Sequence, residues 1–169
     1  LEIYGHDLAI QHCTQALPAD KERYVLQLIQ PFRTIQLEDG TSVTPLLADH
    51  DKKQTCLLFY IERNGKALLY GNDTGWFPEE TWQWLEGKSF DAAILDNTNG
   101  PLPGRRNHMN NEAVVEMKNI FEEKGMLRPG GVVLATHFSH NCGMLHEELV
   151  EFYKPHGITV AYDGLKLEV

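Results

Sequence analysis

The apolar segments of this sequence change character partway along the chain, and their order leaves few folds open. Strand-forming runs flank Asn64-Gly65, a dipeptide typical of a type I′ hairpin turn. Helical and strand patterns then alternate, with predicted helices at 77–87, 110–125 and 144–157 and predicted strands at 90–98 and 130–138. Hairpins followed by such an alternation pack most simply as one sheet with helices on a face. The sequence therefore predicts an α/β (α+β) fold with a mixed β-sheet and flanking helices.

The two ends of the chain give less regular patterns. Residues 5–32 are predicted to be helical, with a break at Pro18, which would open a second helix near its N-terminus. A second hairpin is predicted around Asp39-Gly40, within residues 32–50. Residues 158–169 are expected to form a strand, a tight turn and a final strand.

Histidine or aspartate follows several of the apolar runs at the point where a strand would end. The residues in question are His50, Asp73, Asp96, His137 and Asp163. A rigid sheet fixes the positions of such residues while the adjoining loops stay open to solvent. Because zinc, manganese and iron accept imidazole and carboxylate ligands, the pattern favours a metal site with His50, Asp73 and His137. For Asp96 and Asp163, a structural role in the turn after the strand is the favoured interpretation.

Composition restricts the classes of partner. The 169 residues include 24 acidic and 15 basic side chains, and the formal net charge of -9 argues against general nucleic-acid binding. No apolar run approaches the ~20 residues that cross a bilayer. The three cysteines form no Cys-x-x-Cys pair, which is typical of a reducing, cytoplasmic setting. The length is suited to a single domain over residues 1–169.

Six stretches, taken in order, resemble the second half of the metallo-β-lactamase fold. They are "LLADHD", "GKALLYGNDTG", "FDAAILDNT", "HMNNEAV", "LATHFSHN" and "ITVAYDGLKLEV", and the likeness runs from about Val43 to Val169. The resemblance is closest to the phosphodiesterase branch, which includes phosphoribosyl cyclic phosphodiesterases and tRNA 3′-end endonucleases. It implies the C-terminal part of a four-layer αβ/βα sandwich and metal-assisted hydrolysis. Two divalent ions are implied, with zinc expected and manganese or iron as alternatives.

The resemblance also implies roles for individual residues. His50 corresponds to a ligand of the first metal, Asp73 to the carboxylate that bridges both metals, and His137 to a ligand of the second. His108 corresponds to the catalytic histidine that approaches the scissile phosphate without binding metal. His140 is expected to contact the metal ligands or to face the substrate, and a phosphate-containing small molecule is the implied substrate.

A substrate pocket is expected beside these residues. Arg105 and Arg106 lie in a Gly- and Pro-rich loop just ahead of His108, and two guanidinium groups suit a phosphate. A solvated flexible loop is the alternative for this segment. Trp76 follows Asp73 closely and is expected to border the pocket, whereas Trp82 is expected to pack in the core.

The resemblance departs from the family in one respect. The sequence contains no His-x-His-x-Asp-His motif, which supplies most of the metal ligands in the first half of the fold. Three alternatives remain open: part of a longer protein, a chain that pairs with a missing N-terminal half or with a second copy, or a non-catalytic partner-binding domain. Hydrolysis of a thioester or lactone is the alternative within enzymes. A half-fold would also expose the sheet face that normally meets the other half.

Overall fold

A seven-stranded mixed sheet dominates the computed structural model, which describes residues 1–17 and 23–168. The strands are β1 (Glu2–Gly5), β2 (Val25–Leu28), β3 (Ile35–Gln36), β4 (Ser42–Leu47), β5 (Leu57–Arg63), β6 (Lys66–Gly71), β7 (Phe90–Asp96), β8 (Leu127–Thr136) and β9 (Ile158–Val160). The helices are α1 (Asp7–Ala16), α2 (Glu79–Leu85), α3 (Asn111–Glu123) and α4 (His146–Tyr153), with 3₁₀ turns at His140–Cys142 and Lys154–His156.

The large sheet follows the chain order from β3 to β9. Strands β3 to β6 pair antiparallel, and strands β6 to β9 pair parallel. Asn64 and Gly65 both have positive φ, 52° and 78°, as a type I′ turn requires. Both predicted hairpins and the mixed sheet are thereby confirmed. Because β4 runs in the direction of β6, β7 and β8, the C-terminal ends of these four strands meet at one edge of the sheet.

One face of the sheet is buried beneath helices. The side chain of Asn110 accepts a hydrogen bond from the amide of Ala113 at 3.0 Å and caps α3. On α3, Val114, Met117 and Phe121 are fully buried. They belong to a core that includes alternate residues of the central strands, Leu69, Ala93, Leu95, Val133 and Ala135. This alternation is the period-2 pattern of strands that pack on a core.

The opposite face of the sheet is open. Leu68, Tyr70, Ile94 and Leu134 line a groove of about 480 Å³ on this face, and the Tyr70 residue is 38% exposed. The chain beyond β9 lines the same groove with Tyr162, Leu165 and Leu167. We call this surface the open sheet face. One face of the sheet is therefore exposed, as expected for a half-fold.

Two predictions at the chain ends are wrong. Val25–Leu28 is a strand that pairs in parallel with Glu2–Gly5, where a helix was expected. Pairing with a strand distant in sequence overrides a helical pattern as short as this one. After β9 the chain turns at Asp163-Gly164 and forms no final strand up to residue 168. The helix start predicted at Pro18 lies outside the described residues.

An ion-pair cluster links β6, β7 and β8 near their N-terminal ends, at the edge of the sheet opposite their C-terminal ends. The Asp91 carboxylate accepts a hydrogen bond from the amide of Ala67 at 2.8 Å. It also pairs with Lys66 Nζ at 3.2 Å and Arg128 Nη1 at 2.7 Å. The amide of Ala67 first, and then the two cations, hold the pKa of Asp91 below its ordinary value of about 3.8. The charged carboxylate therefore joins β6, β7 and β8.

We expect Asp91→Asn to reduce the free energy of unfolding at pH 7 by about 1–3 kcal/mol. A carboxyl with a depressed pKa stabilises the fold above its unfolded pKa, and this contribution is lost as pH falls through the folded pKa. The difference between wild type and variant should therefore shrink below about pH 4. Urea unfolding between pH 3 and 7 measures it. Asp163→Asn, in an exposed turn, is the control, and a constant difference across this range would contradict the prediction.

Candidate metal centre

The residues that follow four strands meet at the shared edge of the sheet. His50 lies just beyond β4, Asp73 just beyond β6, and His137 directly after β8. Asp96 is the last residue of β7, and His108 lies in the segment between β7 and α3. The strand directions bring these residues together from separate parts of the chain.

Asp73 is central among the imidazoles. Its Oδ1 atom lies 3.1 Å from His50 Nε2, 3.8 Å from His137 Nε2 and 3.8 Å from His108 Nδ1. The ring centroids of His50 and His108 are 4.9 Å apart, and those of His108 and His137 are 5.7 Å apart. The Asp73 side chain is 50% exposed, so the cluster opens to the surface.

The Asp96 carboxylate organises the base of this cluster and is fully buried. Oδ1 accepts hydrogen bonds from the amides of Thr98 and Met109, each at 3.0 Å. Oδ2 accepts from the Thr98 hydroxyl and lies at 3.0 Å from His108 Nδ1. With its oxygens occupied in this way, Asp96 is better suited to orient imidazoles than to bind an ion.

The ring of His137 is held by Asp96 and Thr98 together. Nδ1 lies 3.0 Å from Asp96 Oδ2 and 2.7 Å from the Thr98 hydroxyl. Because a carboxylate oxygen only accepts, the contact with Asp96 places the ring proton of His137 on Nδ1. The lone pair of Nε2 is then directed toward Asp73, as a metal ligand requires.

His108 has the same carboxylate as its partner. With Nδ1 donating to Asp96, the Nε2 atom of His108 is available to a substrate. The His108 side chain is 26% exposed, less than the 37% of His137. An imidazole held by a buried carboxylate can accept or deliver a proton at its other nitrogen.

Two of the cluster residues have an unfavourable backbone conformation. Asp73 has φ = 56° and His137 has φ = 62°, in the left-handed region that few non-glycine residues adopt. Such a conformation costs on the order of 1–3 kcal/mol and concentrates at functional sites.

Close backbone contacts hold the loops around the cluster together. The Gly75 amide donates to the carbonyl of Asp49 at 2.7 Å, and the Trp76 amide donates to the carbonyl of Arg105 at 2.6 Å. The Asn107 amide donates to Asp49 Oδ2 at 3.3 Å. A Cβ atom on Gly75 would lie only 2.5 Å from the Arg105 carbonyl oxygen, so the close approach of these two loops requires glycine. The loops after β4 and β6 and the loop before α3 thus form one packed unit.

The donor set is suited to a transition-metal ion. Asp73, Asp96, His108 and His137 each offer an atom within 4.8 Å of the others. Ligand atoms about 2.0–2.1 Å from a tetrahedral ion are roughly 3.3 Å apart, and the spacings of Asp73 from His50 and His137 bracket this value. His50 is not a member of that four-residue group, and its Nε2 atom lies 3.1 Å from the same Asp73 oxygen. Nitrogen and carboxylate donors of this kind favour zinc, manganese or iron over calcium.

Comparisons with known proteins identify the family of this chain. A family model described as a beta-lactamase superfamily domain matches residues 1–138. The chain belongs to the metallo-β-lactamase superfamily. No curated protein matches the sequence. None of the helices in the described part of the chain has the length and apolar character needed to span a bilayer.

Solved structures share the superfamily fold with this chain. YhfI of Bacillus subtilis, a metallo-beta-lactamase fold protein, has a TM-score of 0.72 and 20% identity over 98% of this chain and 64% of its own. Zn²⁺-bound PqqB of Methylobacterium extorquens has a TM-score of 0.73 and 20% identity over 100% of this chain and 65% of its own. An isothiocyanate hydrolase from Delia radicum gut bacteria has a TM-score of 0.68 and 13% identity over 100% of this chain and 67% of its own. The chain thus spans about two thirds of the length of each, and the likeness establishes the fold alone.

Arg105, Arg106, His140 and Trp76 are the other residues predicted for the site. Glu116 on α3 holds the guanidinium of Arg105, which stacks over the ring of Trp76 with its Cζ atom 4.5 Å from the centroid. Arg106 is exposed. His140 begins the 3₁₀ turn after β8 and is exposed; within the described residues, no ion pair or ring contact joins it to the cluster. Trp76 also packs against the ring of Trp82.

Asp96 and Thr98 have a larger role in the site than the sequence predicted. Asp96 was predicted to be a structural group in a turn, and its bond to the amide of Thr98 is such a contact. It also links the rings of His108 and His137 through its second oxygen. A polar Asp-Asn-Thr run at the end of a buried strand was the available signal, but a spacing of 12 residues to His108 does not reveal contact.

Proposed function

We propose that this superfamily member is a metal-dependent hydrolase and that phosphodiesters are its substrates. The observation that carries the proposal is the approach of His50 Nε2 and His137 Nε2 to Asp73 Oδ1, beside a third imidazole, His108, held by a buried carboxylate. Zn²⁺-bound PqqB, which has a similar fold, supports zinc as the metal. We propose two divalent ions in the complete site, with manganese or iron as alternatives to zinc.

The proposal gives the side chains of the site three roles: binding the metal, orienting a ligand and donating a proton. His50, Asp73 and His137 would hold the metal, which when bound lowers the pKa of water and neutralises charge on a substrate oxygen. Thr98 and Asp96 keep the ring proton of His137 on Nδ1, so that Nε2 stays free to bind. His108 would give a proton from Nε2 to the leaving oxygen while its Nδ1 stays bonded to Asp96.

Phosphate is the favoured electrophile because of two groups near His108. Arg106 is exposed one residue before Asn107, whose amide bonds to Asp49, and its guanidinium suits a phosphate oxygen. An imidazole that is not needed as a metal ligand suits protonation of an alkoxide leaving group. A small cyclic phosphate or a nucleotide-like diester is the proposed substrate. A thioester or lactone is the alternative within the same chemistry.

Substitution of His108 tests the catalytic assignment. In the full-length protein, His108→Ala should lower kcat toward bis(p-nitrophenyl) phosphate by about 10²–10⁴-fold, because general acid catalysis contributes a factor of this size. The metal content, measured by elemental analysis after dialysis, should stay unchanged. His156→Ala, in the 3₁₀ turn after α4, is the matched control.

Three results would contradict this assignment. Loss of metal from His108→Ala would make His108 a ligand, and unchanged turnover would remove it from the reaction. Wild-type activity on a thioester or a lactone, with none on the phosphodiester, would replace the proposed substrate class. A protein that binds metal but hydrolyses none of the three probes would end the enzymatic proposal.

The open sheet face favours a second candidate function, the binding of a polypeptide partner. Leu68, Tyr70 and Ile94 face outward from a sheet that has helices on its other side, and large exposed apolar patches mark interaction sites. We propose that a missing N-terminal half or a second copy of this chain covers the face. Light scattering at several concentrations tests this. A strictly monomeric protein without further segments would exclude both occupants.

We also propose a cytoplasmic location. Cys13, Cys56 and Cys142 are all free thiols in the fold, which suits a reducing compartment.

A further inference from the structure

Arg105 connects three parts of the molecule around the candidate site. Its Nη1 and Nη2 atoms donate to the two carboxylate oxygens of Glu116 on α3 at 3.2 and 2.6 Å. Its guanidinium lies over the ring of Trp76, in the loop that follows Asp73. Its carbonyl accepts the Trp76 amide at 2.6 Å. Helix α3, the Asp73 loop and the loop leading to His108 are thus joined at a single residue.

These contacts use part of the guanidinium, and the Arg105 side chain remains 46% exposed. A bidentate pair with a carboxylate uses one edge of the guanidinium, and the ring of Trp76 covers one of its faces. The hydrogen bond to Glu116 raises the pKa of Arg105, whose guanidinium is already charged at neutral pH. A residue engaged in this way is better suited to hold a loop than to receive a substrate.

The short segment between Arg105 and His108 is held at both ends. Asn107 has φ = 63°, a left-handed conformation, and its amide bonds to Asp49 Oδ2 at 3.3 Å. His108 follows immediately and reaches Asp96. Fixing Arg105 against α3 and Trp76 therefore fixes the start of the segment that carries the His108 ring.

We propose that Arg105 is a positioning residue, which through Glu116 and Trp76 sets the placement of His108 relative to Asp73. The catalytic consequence rests on the proposed hydrolase function. The structural consequence, a displaced His108 ring when Arg105 or Glu116 is lost, does not depend on it.

The test compares Arg105→Gln, Glu116→Gln and the double variant in the full-length, metal-loaded protein. Each single variant should lower kcat toward bis(p-nitrophenyl) phosphate by about 10- to 100-fold with little change in KM, because a small displacement of a catalytic group has effects of this size. The double variant should be no slower than the singles, since both remove the same link. Arg63→Gln is the matched control, because Arg63 forms an ion pair of similar exposure with Asp39 near the distant hairpin turn.

Glu116 makes the result decisive because it lies on α3 and holds the Arg105 guanidinium through both of its carboxylate oxygens. If Arg105 bound substrate, Arg105→Gln would raise KM while Glu116→Gln would leave the kinetics intact, and this outcome would overturn the proposal. Additive losses in the double variant would overturn it as well.

A second readout separates this proposal from the hydrolase proposal. Long-range ¹H–¹⁵N spectra of the histidine rings should show shifted His108 resonances in Arg105→Gln and Glu116→Gln, and unshifted ones in Arg63→Gln. Unshifted His108 resonances in all variants would refute the positioning role. If the wild type hydrolyses no probe, the hydrolase proposal fails, and the spectra still decide the role of Arg105.

Discussion

Replacing Asp73 with asparagine should reduce the affinity for Zn²⁺ by more than about 100-fold. Even partners that only orient metal ligands contribute 10–100-fold, and Asp73 lies closer to the proposed ion than they do. Its Oδ1 atom is the one that both His50 Nε2 and His137 Nε2 approach. An amide retains the size of the side chain but removes the charge that offsets the cation. Titration calorimetry of the purified protein with Zn²⁺ measures the loss, and hydrolysis should fall in proportion to metal occupancy.

The control for this variant is another aspartate that follows a strand. Asp163 comes after β9 and is exposed, and it lies outside the cluster, so Asp163→Asn should bind Zn²⁺ as the wild type does. Equal affinities for wild type and Asp73→Asn would show that the cluster does not hold the metal. Because the side chain of Asp73 is half exposed, the substitution should alter the free energy of unfolding little in the metal-free protein.

Removal of the Asp96 carboxylate should have the largest effect on stability. Asp96→Ala leaves the buried amides of Thr98 and Met109 without their acceptor. Each unsatisfied buried donor costs about 1–3 kcal/mol, so the free energy of unfolding should fall by roughly 2–6 kcal/mol. For a chain of this length, each kcal/mol corresponds to a decrease in Tm of about 2–4 °C. Differential scanning calorimetry without metal measures this loss.

Asp96→Asn separates the stabilising role from the role in orienting the rings. The amide oxygen can still accept from the two backbone amides, so most of the stability should remain. Its NH₂ group would donate toward His108 Nδ1, which moves the ring proton of His108 to Nε2. We expect Zn²⁺ affinity to fall by about 10–100-fold, because His137 Nδ1 loses its carboxylate acceptor. Thr98→Val keeps that direct contact and should lower Zn²⁺ affinity less than Asp96→Asn does, and a normal Zn²⁺ affinity in Asp96→Asn would contradict the orienting role of Asp96.

Two features of the fold bear on both proposals: the part of the superfamily fold that the chain covers and its open sheet face. The chain aligns with about two thirds of each solved structure of similar fold, and its open sheet face is apolar. The proposed metal ligands His50, Asp73 and His137 lie at the edge of that same sheet, and Asp73 is half exposed. A segment that covers the sheet face would also approach the exposed side of the cluster. The partner proposal and the hydrolase proposal are therefore compatible, and light scattering together with metal analysis can test both.

Local patterns predicted the elements that are defined by nearby residues. Asn64-Gly65 identified its hairpin because only a turn with two positive φ values joins such strands closely. Asn110 lies where α3 begins, because its side chain can accept from an amide three residues ahead. Val25–Leu28 was assigned to the wrong class, because its strand partner is more than 20 residues earlier in the sequence. Strand pairing over such a distance leaves no periodic trace in a four-residue segment.

The sequence by itself determined the chemical kinds of group in this protein and the strand ends on which they stand: imidazole at His50 and His137, carboxylate at Asp73. Only the tertiary structure decided how the groups are used. Strand direction brought the ends of β4, β6, β7 and β8 to one edge, burial of Asp96 made it the acceptor for two loops, and Glu116 engaged Arg105. The reason is physical: side-chain chemistry is fixed by the residue, whereas proton position, orientation and access depend on neighbours that are distant along the chain.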